Sequence, residues 1–190
     1  MRIILLAVLA LVLASCASPP SKINNVCAVL DQRDGFLTNW SRSAQKAERR
    51  YGVPRAVLLA TIRVESGFDG DARPPRRKLL GIVPWKRKST ALGYSQALNG
   101  TWERYQRETG NWRARRTNFD DAIDFVGWYH RLSHTTNGVA LNDTYNMYLN
   151  YYHGHGGFRR GNPSATAQRA ARKAESLAQS YATQLAQCGR

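Results

Sequence analysis

One carboxylate stands where a carboxylate is costly. Glu65 falls three residues after Ile62 and seven after Leu58, on the apolar side of the helix that this spacing predicts. Burial there disfavours the charged form and raises the pKa, as a general acid working near neutral pH requires. The helix C-terminus adds to this, because its dipole disfavours negative charge. Spacing alone equally allows a Glu at a fraying helix end, paired with one of the chain's many arginines. Two histidines, His153 and His155, suggest a metal pair, but no third ligand stands at a known spacing and glycines surround them, so no metal is expected. Asp120, Asp121 and Asp124 read as negative charge at a helix N-terminus rather than as a second catalytic carboxylate.

Three short motifs give Glu65 a context. Tyr51-Gly52-Val53-Pro54, an apolar turn and then Glu65-Ser66-Gly67-Phe68 resemble the opening of the lytic transglycosylase domain of the goose-type lysozyme superfamily. That family's Gly-Leu-Met-Gln segment is similar to Gly93-Tyr94-Ser95-Gln96, and its Ala-Tyr-Asn-Ala-Gly-x-Gly to Asn150-Tyr151-Tyr152-His153-Gly154-His155-Gly156. The resemblance spans about residues 45 to 160. It departs at Tyr152, Tyr94 and Ser95, and in a basic stretch from Arg73 to Lys88.

The resemblance implies a mainly α, single lysozyme-like domain with a substrate groove and no cofactor. It makes Glu65 the catalytic acid, with Tyr151 donating a hydrogen bond near Glu65 or a substrate acetamido group. Gln96 would hold a sugar, and Ser66, Tyr94, Ser95, His153 and His155 are candidate groove residues. The implied reaction is lytic cleavage of peptidoglycan between N-acetylmuramic acid and N-acetylglucosamine, closing a 1,6-anhydro ring with a single acid. Ordinary glycosidases need two carboxyl groups. A hydrolytic muramidase of the same fold, or an inactive glycan-binding lipoprotein of an envelope assembly, are the alternatives.

The elements that must position these residues are helical. Past residue 22 almost every segment carries a 3.6-residue period, and no strand pair joined by a hairpin signal is evident. Helices are expected over Phe36–Arg50, Arg55–Ser66, Thr101–Thr109, from Asn118 onward, over Asp143–His153 ending at Gly154, and from Asn162-Pro163 to the C-terminus. Gly52, Gly67 and Gly110 punctuate them. The last helix presents Ala167, Ala170, Ala174, Leu177, Tyr181 and Leu185 as one stripe continuing onto Cys188. Arg73 to Lys88, with three prolines and seven basic residues, reads as a loop or flap.

The N-terminus supplies an address. Met1-Arg2 and the apolar run Ile3–Ala14 have the form of a secretory signal, too short to span a bilayer. Leu13-Ala14-Ser15-Cys16 resembles the lipobox of bacterial lipoproteins. That makes 1–15 the signal, Cys16 the lipidated residue, 16–22 a tether of about 20 Å if extended, and 23–190 the domain. Ala17, which is not Asp, implies the periplasmic face of the outer membrane. Two cysteines then remain in an oxidising compartment, so Cys27 and Cys188 are expected to pair. With 28 Lys+Arg against 13 Asp+Glu the chain is strongly basic. Export excludes nucleic acid and leaves acidic envelope polymers, lipid head groups and stem-peptide carboxylates as partners.

Overall fold

In the computed structural model, residues 20–34, 38–79 and 83–190 are described, with backbone alone for 34, 38, 77–79 and 83–86. The signal, Cys16 and Ala17 lie outside the described residues. Pro20 is already buried, and the Tyr181 hydroxyl donates to Ile23 O at 3.0 Å, so the end of the expected tether is packed against the domain.

The order is α1 (Val26–Leu30), β1 (Arg33–Asp34), β2 (Thr38–Asn39), α2 (Trp40–Tyr51), α3 (Arg55–Glu65), β3 (Arg76–Leu79), β4 (Val83–Arg87), α4 (Asn99–Thr109), α5 (Phe119–Asn137), α6 (Thr144–Arg159) and α7 (Ala165–Gln187). Most helix starts are capped by a side chain. Asn39 accepts from Arg42 N, Asn118 from Asp121 N, Asp143 from Asn146 N and Ser164 from Ala167 N. Gly52, Gly110 and Gly138 end α2, α4 and α5 in the left-handed conformation.

The axis of the fold is α3. Every residue from Ala56 to Ile62 is buried, as expected of a helix apolar all round. It packs most extensively on α7 and also touches α2 and α5, while α6 lies against α5 and α7. Helix α7 buries Ala167, Ala171, Ala174, Ala178, Tyr181 and Leu185. Its small residues let α3 and α6 approach closely. Beyond its end Cys188 is bonded to Cys27, as the cysteine count predicts. Arg190 pairs with Asp31, also joining the ends of the domain.

Two expectations are corrected and a third is extended. The first long helix begins at Trp40, because Thr38-Asn39 pairs antiparallel with Arg33-Asp34; Phe36, its expected start, lies outside the described residues. The basic stretch is not without regular structure: β3 and β4 form an antiparallel ribbon pairing Arg76 with Arg87, Lys78 with Pro84 and Leu79 with Val83. A two-stranded ribbon has only edge strands, so Pro84 is tolerated there, and its presence had masked the strand signal. The break expected at Gly154 is present, but the chain does not leave the helix for good there. That residue turns out of helical geometry (φ 72, ψ 159), and helix resumes to Arg159. Only a glycine makes such a kink without strain.

Candidate functional site

Glu65 is the last residue of α3, followed by Ser66 at the C-cap. The Ser66 hydroxyl donates to Ile62 O at 3.3 Å, so it serves the helix end. Gly67 and Phe68 then both adopt positive φ (64° and 67°). Phe68 is a bulky residue in a sparsely allowed region. Its ring is buried beside Trp40, at 6.1 Å between centroids, and that burial offsets the strain. The two left-handed residues turn the chain sharply away and leave the Glu65 side chain at the edge of the core.

The Glu65 carboxyl is pushed up to about 7, chiefly by burial, and a hydrogen bond from Tyr148 acts in the opposite direction. The Tyr148 hydroxyl donates to Glu65 Oε1 at 2.7 Å. Among the described residues, no second carboxylate contributes to this shift. The residue keeps part of its surface open. It is therefore a proton donor and acceptor poised near neutrality and still reachable from outside.

Tyr151 was expected to bear on the acid, but its hydroxyl donates to Ser95 O at 2.5 Å. The tyrosine bonded to Glu65 is Tyr148, to which the motifs assign no role. Spacing held the clue, since 148 and 151 are three apart on one helix and share a face; their rings lie 6.4 Å apart, near parallel. Tyr151 thus lies beside the tyrosine that holds the acid, and the charge on Glu65 adds to the burial that keeps its phenol protonated. Tyr152, one position on, is exposed.

Gly93-Tyr94-Ser95-Gln96 is a tight turn. Gly93 has φ 73°, and a Cβ there would stand 2.1 Å from Arg116 O, so only glycine fits. The Gln96 side-chain nitrogen donates to Ala72 O (2.9 Å) and Gly93 O (2.8 Å), which staples the turn to the segment after α3. Two substrate-binding expectations are overturned here. The Tyr94 ring is buried among Trp40 and Phe119, and Ser95 is fully buried, offering its carbonyl to Tyr151. Their side chains build the wall behind the acid, and Gln96 holds that wall in place through its amide nitrogen.

The histidines separate. His155 lies against Tyr129, at 4.5 Å between rings, and meets Ser133 Oγ at 3.0 Å. His153 lines a different space, a cavity of about 370 Å³ bordered by Tyr145, Asn146, Phe158 and Gln168 rather than by Glu65. Among the described residues no group of three or more His, Cys, Asp or Glu is arranged to hold a metal. A buried histidine that sequence reading passed over, His130, sits behind α3. Thr61 Oγ1 donates to Val57 O, so His130 Nε2, 2.9 Å from that oxygen, is the donor in their bond. Burial lowers His130 to about 3, so it is neutral.

The carboxylates of α5 are structural, and one goes beyond a helix-end role. Asp124 is buried and accepts from the Tyr51 and Tyr105 hydroxyls (2.9 and 2.8 Å) and from Arg50 (3.1 Å). It ties α2, α4 and α5 together. Asp121 accepts from Arg115 N, and Asp120 pairs with Lys46 at the surface.

The site is thus one half-buried acid at a helix end, a tyrosine bonded to it, and a stapled turn behind a second tyrosine. No curated protein matches the chain. A family model described as a transglycosylase SLT domain matches residues 4–188. With that match over nearly the whole sequence, and a single mainly helical, lysozyme-like domain beneath it, the chain belongs to the transglycosylase SLT family, whose substrate is the glycan strand of peptidoglycan.

Proposed function

We propose that the protein is a lytic transglycosylase that cleaves the β-1,4 bond between N-acetylmuramic acid and N-acetylglucosamine with Glu65 as its acid and base. The observation that carries this reading is the single carboxyl at the end of α3, raised to about 7 and hydrogen-bonded to Tyr148. A group with that pKa is protonated in much of the population at neutral pH and still gives up its proton readily.

Glu65 donates its proton to the glycosidic oxygen as the bond from the muramyl anomeric carbon breaks. The resulting carboxylate then takes the proton of the muramyl C6 hydroxyl, whose oxygen bonds to the anomeric carbon. The acid is regenerated, no water is consumed, and one carboxyl suffices. Tyr148 holds Glu65 in orientation and is itself kept protonated by burial and by the neighbouring carboxylate. Tyr151 anchors the Gly93–Gln96 turn to α6.

The address completes the reading. A chain exported by residues 1–15 and lipidated on Cys16 works at the periplasmic face of the envelope, on the outer membrane, beside its polymer. Mass spectrometry of sacculi digested by the wild type and by Glu65→Gln is the test. Anhydro-muropeptides from the first and none from the second are expected. Reducing-end muramic acid as the sole product would overturn the transglycosylase reading in favour of hydrolysis.

A further inference from the structure

The family resemblance does not account for the basic stretch after α3, and in the fold the two ends of that stretch border an open space. Arg73, Arg87, Lys88 and Arg116 line one cavity of about 570 Å³, together with Ser89, Thr90 and Asn99. Arg73 comes from the segment after α3, Arg87 and Lys88 from the end of the ribbon, and Arg116 from the loop before α5. Arg73, Arg87 and Lys88 are exposed. Among the described residues, none of the four cations forms an ion pair.

Two details show this gathering to be unfavourable without a counter-charge. Arg76 and Arg87 are paired directly across the ribbon, and like charges in that position repel. Arg116 is lowered by burial and by the charge of Arg73, with only Glu103 acting the other way. Arg116 is held in place nonetheless, donating to Thr90 O and Ala97 O at 2.9 Å each. The cavity also receives the start of α4 at Asn99. Its N-cap residue, Leu98, offers no capping oxygen, Thr90 Oγ1 accepts from Asn99 N at 3.1 Å, and no acid stands in the first turn, so the helix's partial positive charge still adds to the field.

The place of the cavity limits what enters it. Leu92 lines it, and three residues on Ser95 O holds Tyr151, beside the tyrosine that holds Glu65. Three residues span about 11 Å at most. The cavity therefore borders the turn that backs the acid, and a negative group carried by the polymer near the reacting bond is the ligand its position suits.

We propose that the Arg73–Arg87–Lys88–Arg116 cavity binds the carboxylates of the peptide stems carried by peptidoglycan, so that the enzyme prefers peptide-bearing strands. This rests on the peptidoglycan-cleaving reading above. Exposed cations suit the role: they give modest affinity to each stem and release it after cleavage.

The test compares native sacculi with sacculi whose stem carboxylates have been converted to neutral amides. With the wild type, amidation should raise KM about fivefold. The Arg73→Gln/Lys88→Gln double variant should show the raised KM on native sacculi and no further change on amidated ones. The wild-type difference should shrink at 1 M salt, where the screening length is about 3 Å. Equal KM for both substrates with the wild type, or a double variant that still discriminates between them, would overturn the proposal. A direct arm uses the free stem peptide and its amidated form in titrations monitored by NMR. Shifts confined to Arg73, Thr90 and Asn99 with the acidic peptide alone support the site even if no turnover is seen, which would count against the catalytic reading only. Absence of peptide binding, alone or alongside binding to phosphatidylglycerol vesicles, would refute it.

Discussion

Replacing Glu65 by Gln tests the physical core of the site, because it removes the charge and keeps the shape and the oxygen that accepts from Tyr148. In the folded chain the carboxyl titrates at about 7 against an ordinary 4.5. At about 1.4 kcal/mol per unit of pKa, that gap corresponds to about 3 kcal/mol. The sign follows from proton counting. A carboxyl raised by folding binds its proton more tightly in the native state, so its stability contribution is complete below pH 4.5. That contribution is lost as the pH rises and is gone above about 7. The variant carries no such dependence. Chemical denaturation of both proteins should therefore show similar stability at pH 4. At pH 8 the variant should be more stable by about 3 kcal/mol, which for a domain of this size raises Tm by about 6–12 °C. Activity should move the opposite way, falling about 10²- to 10⁴-fold on loss of the acid. A stability difference that is the same at pH 4 and pH 8 would refute the argument that burial tunes this group.

Other outcomes follow from neighbouring contacts. The kcat/KM profile should fall on the alkaline side with a limb near 7, and Tyr148→Phe, which deletes the bond that lowers Glu65, should move that limb upward; a limb that moves down or stays put contradicts the assigned bond. Cys27 and Cys188 are 161 residues apart in sequence. On the chain-entropy model their bond contributes about 5 kcal/mol, so reduction should lower the denaturation midpoint sharply, and thiol titration of the unreduced, denatured protein should detect neither cysteine. Gly93→Ala forces a Cβ against Arg116 O; it should cost at least about 2 kcal/mol and also depress activity by shifting the turn that Tyr151 grips, measured as a paired loss in melting temperature and turnover.

Much of the helical scaffold was legible because it rests on local chemistry. Asn39, Asn118 and Ser164 cap the nearest backbone N–H groups. Gly52 and Gly110 take positive φ, and the alanine stripe of α7 repeats at the helical period. The ribbon was illegible because a proline and a run of like charges oppose strand formation locally, and pairing across the stretch decides the outcome. Continuation of α6 past Gly154 was equally hidden: a glycine cluster signals a break, while contacts with Tyr129 and Asn137 hold the following turn.

At the site the division is similar. Sequence by itself determined that a carboxylate would lie on the apolar side of a helix end, because side-chain direction on a helix follows from spacing alone. It determined also which two cysteines could pair. Tertiary structure alone decided that Tyr148 and not Tyr151 reaches Glu65, and that Tyr94 and Ser95 face inward. It alone brought four cations from three separate segments around one cavity. These outcomes depend on how α3, α6 and the Gly93–Gln96 turn are docked, and docking is set by long-range packing, which no local pattern of residues encodes.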